Sequence, residues 1–144
     1  MIVLDTNVLS ALMRTQPEEI VVQWLDTQPA ESIWTTAVTV FEVRTGLEVL
    51  VPSRRRQHLE SAFERLLHED LAGRVLPFDT AAADAAGPVV ATRQQTGKTV
   101  EIRDAQIAGI TLARRATLAT RNTRHFRELG VRLVDPWAGP TQRR

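Results

Sequence analysis

The sequence predicts an α/β protein built on a mainly parallel sheet of about five strands. Two observations carry this. Five short runs rich in β-branched and apolar residues recur from end to end ("IVLD", "SIWTTAV", "RVLPFD", "ATLAT" and "VRLVDPW"), with helical stretches between successive runs. Strict alternation of this kind gives parallel strands whose connecting helices cover both faces of the sheet. In addition, Asp5, Asp79 and Asn122 stand at strand ends, where open parallel sheets bind their ligands.

The elements follow in order. "IVLD" is a short buried strand, and "TNVLSALMR" a helix that stops near Gln16-Pro17. "PEEIVVQWLDTQP" is a second helix, with Pro17 and two glutamates placed in its first turn. Its Ile20, Val21, Trp24 and Leu25 form one apolar stripe. After the strand "SIWTTAV" come two helices, "TVFEVRTGLEVLV" and the long amphipathic "SRRRQHLESAFERLLHEDLAG", read as a helical hairpin or arm off the sheet. "RVLPFD" is a strand, and "TAAADAAGPVVATRQQTG" a helix with an irregularity at Gly87-Pro88. "RDAQIAGITLARR" is a helix, "ATLAT" a strand, "TRHFREL" a short helix and "VRLVDPW" the last strand, closed by Pro136.

At 144 residues, 43% hydrophobic and 24% charged, the chain has the make-up of one globular domain with a proper core. It holds no cysteine, which excludes disulfides and zinc–thiolate sites. No stretch approaches a membrane span, and no basic region followed by an apolar run opens the chain, so the expectation is a cytoplasmic protein. The net charge of +1 conceals an asymmetry. From Arg103 onward there are nine arginines against three acids, while residues 1–102 carry nine basic and fourteen acidic residues. Arginine forks suit phosphate, so the C-terminal third has the charge to meet nucleic acid, although a solvated surface has the same composition.

Three acids matter most, and each has two readings. Asp5 ends a strand and opens a helix, where Asp is a common N-cap. Glu42 lies three residues after Thr39, as in a capping box, but among Val40, Phe41 and Val43. Asp104 opens a helix of small and apolar residues, again a capping position. Asp79 reads as a cap and Asp84 as an exposed helix residue. Brought together at one end of the sheet, Asp5, Glu42 and Asp104 would repel unless protonated or neutralised by a cation. Mg²⁺ favours such oxygen ligands and suits chemistry on phosphates. His58, His68 and His125 are scattered and form no competing ligand set.

"IVLDTNVLS", "TVFEVRTGL", "RDAQIAGI", "LATRNTRHF" and "GVRLVDPW" occur in this order, and together they resemble a PIN-domain ribonuclease. The resemblance is to the VapC-type toxin of a VapBC toxin–antitoxin pair, nearest the FitB-like, plasmid-stability branch. It spans residues 1–137 as a single domain and leaves 138–144 as a short tail. It implies a three-layer α/β/α fold and RNA cleavage dependent on Mg²⁺ or Mn²⁺. Asp5 and Asp104 match the family's metal ligands, and Glu42 the acid that completes the site. Asn122 stands where some members have a fourth Asp and brings no charge. Thr6, Thr120 and Arg121 then support the ligands or contact phosphate. Arg103, where related chains often carry a small residue, is a departure.

The resemblance also implies partners: a homodimer, a cognate VapB-type antitoxin that offers an Arg to the acidic pocket, and a higher toxin–antitoxin complex. The apolar arm around residues 39–71 is the expected antitoxin contact and part of the dimer surface. The resemblance implies an RNA substrate, a structured one such as tRNA; with three Trp, four Phe and no Tyr, broad aromatic stacking of single strands is limited. Arg121, Arg124 and the Arg54–Arg56 run are candidate phosphate contacts. Two rivals stand beside this reading. One is a receiver-like Mg²⁺-binding signalling domain, which needs a lysine near its acids and has only Lys98. The other is a catalytically silent PIN-like module that binds partners.

Overall fold

The computed structural model describes residues 1–139; the outer part of the expected tail, 140–144, lies outside the described residues. Five strands, β1 (Ile2–Leu4), β2 (Ile33–Thr36), β3 (Val75–Leu76), β4 (Thr117–Ala119) and β5 (Arg132–Val134), form one sheet in the order β3-β2-β1-β4-β5. Every pairing is parallel. Among the described residues, seven α-helices accompany them: α1 (Thr6–Met13), α2 (Glu19–Asp26), α3 (Ala37–Glu48), α4 (Arg54–Arg65), α5 (Thr80–Gln95), α6 (Ile102–Ala113) and α7 (Thr123–Arg127). This is the α/β/α architecture the sequence predicts.

The two faces are visible in the central strand itself. Successive side chains of a strand point to opposite faces. Leu4 packs with Val8, Leu9, Val21 and Phe63, on the side of α1, α2 and α4, while Val3 packs with Ala82, Ile107, Leu118 and Phe126, on the side of α5, α6 and α7. At residue 109 only glycine fits: a Cβ there would stand 2.5 Å from the Ala82 carbonyl oxygen and 2.7 Å from the Ala86 Cβ, so α6 lies directly on α5.

The chain runs outward from β1 through β2 to β3, then crosses back to place β4 on the other side of β1. The direction of strand order therefore changes between β1 and β4, which is where such sheets open a crevice at their carboxyl ends.

Several boundaries differ from the sequence reading. Strand β2 ends at Thr36, because Thr36 Oγ1 accepts the Thr39 N–H at 3.0 Å and caps α3 two residues early. Helix α2 starts at Glu19, leaving Pro17 outside it. The expected arm does not leave the sheet: Phe63, Leu66, Leu67 and Leu71 are buried in the core with Leu4 and Val8. The long helix widens into a π turn over Leu66–Asp70, the Leu71 N–H donating to the Leu66 carbonyl at 2.8 Å. Helix α5 runs unbroken through Pro88. Pro88 and Asp84, whose carbonyl lacks the usual donor, both face solvent.

Candidate active site

Asp5 continues the pairing of β1, its N–H donating to the Ala119 carbonyl at 3.0 Å, and then becomes the N-cap of α1. Its carboxylate turns inward. Oδ1 accepts the Thr6 N–H at 2.8 Å, and Oδ2 accepts the Thr120 hydroxyl at 2.7 Å. Asn7 braces this corner, donating to Thr120 Oγ1 at 3.2 Å and accepting the Arg121 N–H at 3.2 Å. Asp5 is only 6% exposed, and burial pushes its carboxyl up to about 6. The hydrogen bonds from Thr120 and Thr6 pull it back, and the charges of Asp104 and Glu42 push it further up.

Glu42 is not the N3 partner of a capping box, because Thr36 rather than Thr39 caps α3. Its carboxylate instead accepts the Thr6 hydroxyl at 2.7 Å and lies 3.7 Å from the Arg103 guanidinium. Asp104 is not the cap of α6 either. Glu101 takes that position and accepts the N–H groups of Arg103 and Asp104 at 3.0 and 3.2 Å. Asp104 is left with its carboxylate on the cleft, its pKa raised chiefly by burial and further by Glu101 and Glu42, against the pull of His125. His125 Nε2 lies 3.0 Å from Asp104 Oδ2, off the line of a well-formed hydrogen bond.

One cleft of about 430 Å³ is lined by Asp5, Glu42 and Asp104 together with Thr6, Asn122 and Arg121. Thr120 lies just beneath, fully buried. Asn122 is exposed, and its own N–H donates to Thr120 Oγ1 at 3.0 Å. The other arginines do not join them. Arg54, Arg55, Arg56 and Arg124 are absent from the cleft lining, and Arg56 is committed to Glu48, Glu60 and the Leu50 carbonyl. Lys98, which a receiver-like site would need, stands in the exposed loop between α5 and α6, away from the cleft lining. Sequence reasoning missed Asn7, His125, Arg14, Glu18 and Trp137. Asn7 lies within the first motif, two residues after Asp5; no local pattern marks the other four, which chain crossings bring to the site.

Among the described residues, no three acidic or histidine side chains stand close enough to form a ready-made metal cage. The donor chemistry nevertheless suits a hard divalent cation, which takes one or two carboxylates and keeps several waters. A buried carboxylate held up at about 6 and a second raised beside it are what such a cation relieves. Asp5 and Asp104 are the residues fit to hold it, with Glu42 next to them.

Residues 2–131 match the PIN domain family. The chain is 37% identical over 137 residues to the VapC ribonuclease Y4jK of Sinorhizobium fredii, covering 95% of this chain and 98% of that protein. It is 36% identical over 137 residues to Toxin FitB of Neisseria gonorrhoeae, covering 95% and 99%. Among solved structures, FitAcB from Neisseria gonorrhoeae superposes with a TM-score of 0.85 at 36% identity, covering 95% of this chain and 99% of that one.

Proposed function

The chain belongs to the PIN-domain family, and from that premise we propose that it is a metal-dependent endoribonuclease, the toxin of a toxin–antitoxin pair. What carries the reading is the convergence of Asp5, Glu42 and Asp104, from three distant segments, on one cleft at the change of strand order. Asp5 and Asp104 would hold a divalent cation, Mg²⁺ or Mn²⁺, which would supply Lewis acidity for the attack of water on phosphorus and for the leaving oxygen. The chain's own residues prepare the reaction. Thr120 and the Thr6 N–H hold the Asp5 carboxylate charged and aimed. The Thr6 hydroxyl orients Glu42, which positions or deprotonates the attacking water. Water adds across the P–O3′ bond, leaving a 5′-phosphate and, after a proton reaches the departing oxygen, a 3′-hydroxyl. Asn122 serves by hydrogen bonding alone.

The relatives carry the names VapC ribonuclease and Toxin FitB, and on that likeness the partner is a protein antitoxin. Phe41, Val49 and Val51 leave large apolar side chains 60–77% exposed on α3 and the loop after it, the face proposed for that contact. An antitoxin arginine entering the cleft would neutralise the carboxylates. The active unit is a homodimer, the substrate a structured RNA such as tRNA, and residues 1–137 form the domain.

The test is cleavage of total RNA in Mg²⁺, Mn²⁺ or EDTA, comparing the wild type with Asp104→Asn, together with growth arrest on expression. Discrete fragments that need metal and vanish in Asp104→Asn are expected. Full cleavage by a folded Asp104→Asn protein would remove the assignment, and metal binding without cleavage would favour a silent partner-binding module.

A further inference from the structure

The cleft has a second wall of opposite character. Arg14, Glu18, Arg121 and Trp137 line it alongside the three acids. Arg14 and Glu18 come from the turn between α1 and α2, and Trp137 from the segment after β5. Trp137 is held at two points, one on its indole and one on its backbone. Its Nε1–H donates to Glu18 Oε1 at 3.2 Å, and its backbone N–H donates to Asp135 Oδ1 at 2.9 Å. The Arg121 guanidinium lies on the indole face, 4.8 Å from the ring centre. Among the described residues, Arg121 makes no ion pair, and its side chain is exposed. Arg14 is 61% exposed, with its guanidinium 3.8 Å from Glu18, a loose pair of the sort that contributes little.

An arginine laid flat on an aromatic ring keeps its edge donors free and loses much of its rotamer freedom before any ligand arrives. Those donors form the planar fork that matches phosphate. RNA brings one phosphate per nucleotide, so a strand whose phosphodiester meets the acids presents its neighbour to whatever flanks them. We propose that Arg121 and Arg14 form a subsite for the RNA phosphate adjoining the cleaved one, and that Trp137, pinned by Glu18, is the residue that positions Arg121 for it. The proposal rests on the ribonuclease reading and adds to it the half of the cleft that grips rather than cleaves. Glu18 sits at the edge of the ring, its carboxylate shared between the indole N–H and Arg14.

Binding and turnover are measured separately. Binding is followed by fluorescence anisotropy with a short labelled single-stranded RNA in EDTA, over a range of salt. Arg121→Gln is expected to weaken binding roughly tenfold and to flatten the salt dependence by about 0.7 in slope, the mark of one lost phosphate contact. Arg14→Gln acts in the same direction. Trp137→Leu weakens binding roughly fivefold, and Trp137→Phe, which keeps an aromatic face, recovers most of it. In Mg²⁺ with bulk tRNA the same variants raise KM with little change in kcat, while thermal melts confirm that each stays folded.

Unchanged binding and KM in folded Arg121→Gln and Arg14→Gln would overturn the subsite. So would a loss in Trp137→Leu that Arg121→Gln does not share, which would make Trp137 a base-stacking platform. A wild type that binds the RNA through these arginines but cleaves nothing would remove the nuclease reading and leave the phosphate grip standing.

Discussion

Leu4-Asp5-Thr6-Asn7 and Phe78-Asp79-Thr80-Ala81 have the same local form: an apolar residue, Asp, Thr, and then a helix. The structure uses them in different ways. Asp79 turns its carboxylate onto the helix it precedes, accepting the Ala82 N–H at 3.0 Å, with Arg114 at 3.5 Å and solvent around both. Asp5 occupies the same cap position but accepts, from the helix backbone, only the N–H of the next residue, and its other oxygen accepts from the Thr120 hydroxyl, 115 positions away, and at 3.5 Å from the Asn7 amide. Neither the Asp nor the Thr makes the difference. Asp79 follows the short edge strand β3, three residues past its end, whereas Asp5 directly follows the central strand at the change of strand order. A carboxylate at the edge can face water, and one at the centre is enclosed by its neighbours.

The comparison can be broken most directly by activity. Asp5→Asn is expected to lower metal-dependent RNA cleavage to less than about one-hundredth of wild type, while Asp79→Asn leaves it unchanged; equal losses would show that both acids only support the fold. The next largest effect is on stability without metal. The Asp5 carboxyl holds its proton more tightly folded than unfolded, so its contribution is full below the unfolded value of 3.8 and is lost as pH rises through about 6. The loss is roughly 3 kcal/mol. In EDTA at pH 7.5, Asp5→Asn therefore melts several degrees above the wild type, the gap closes by pH 4, and Mg²⁺ raises only the wild type. A lower melting temperature for Asp5→Asn at pH 7.5 would contradict the enclosed carboxylate.

Thr120→Val sharpens the same point. It removes the hydroxyl that donates to Asp5 and accepts from Asn7 and Asn122, at an expected cost of about 1–3 kcal/mol near neutral pH. It also moves the pH at which stability falls above that of the wild type, readable in melts taken across pH. Smallest is Asp79→Ala, a lost helix cap worth about 1 kcal/mol with cleavage intact. A drop in activity there would mean that α5 transmits strain to the site.

The strands and most helices are legible in the sequence because local pattern decides them. Apolar runs end at turn residues, and the alternation of elements dictates a parallel sheet. Asp5, Glu42 and Asp104 are found through the order of the motifs around them. What the sequence withholds depends on contacts across the chain. Pro17 invites a helix start that slips to Glu19, where Glu18 meets Trp137. The caps of α3 and α6 are Thr36 and Glu101, each three residues before an acceptable alternative. His125 reaches Asp104 only because the fold brings the short α7, after β4, to the start of α6. The π turn at Leu66–Asp70 has no local signal.

The pairing of β1 with β4 also has a consequence in time. Strand β1 is made first, yet one of its two neighbours, and the Thr120 that steadies Asp5, are made more than 110 residues later. At ordinary rates of protein synthesis that interval is roughly 6–20 s. A nascent chain therefore carries Asp5 with its cleft unassembled through most of its own translation, and ribosome-bound chains cut short before Thr117 are expected to leave RNA intact. On the proposed function, the site is complete only once Thr120 has been made and has met Asp5.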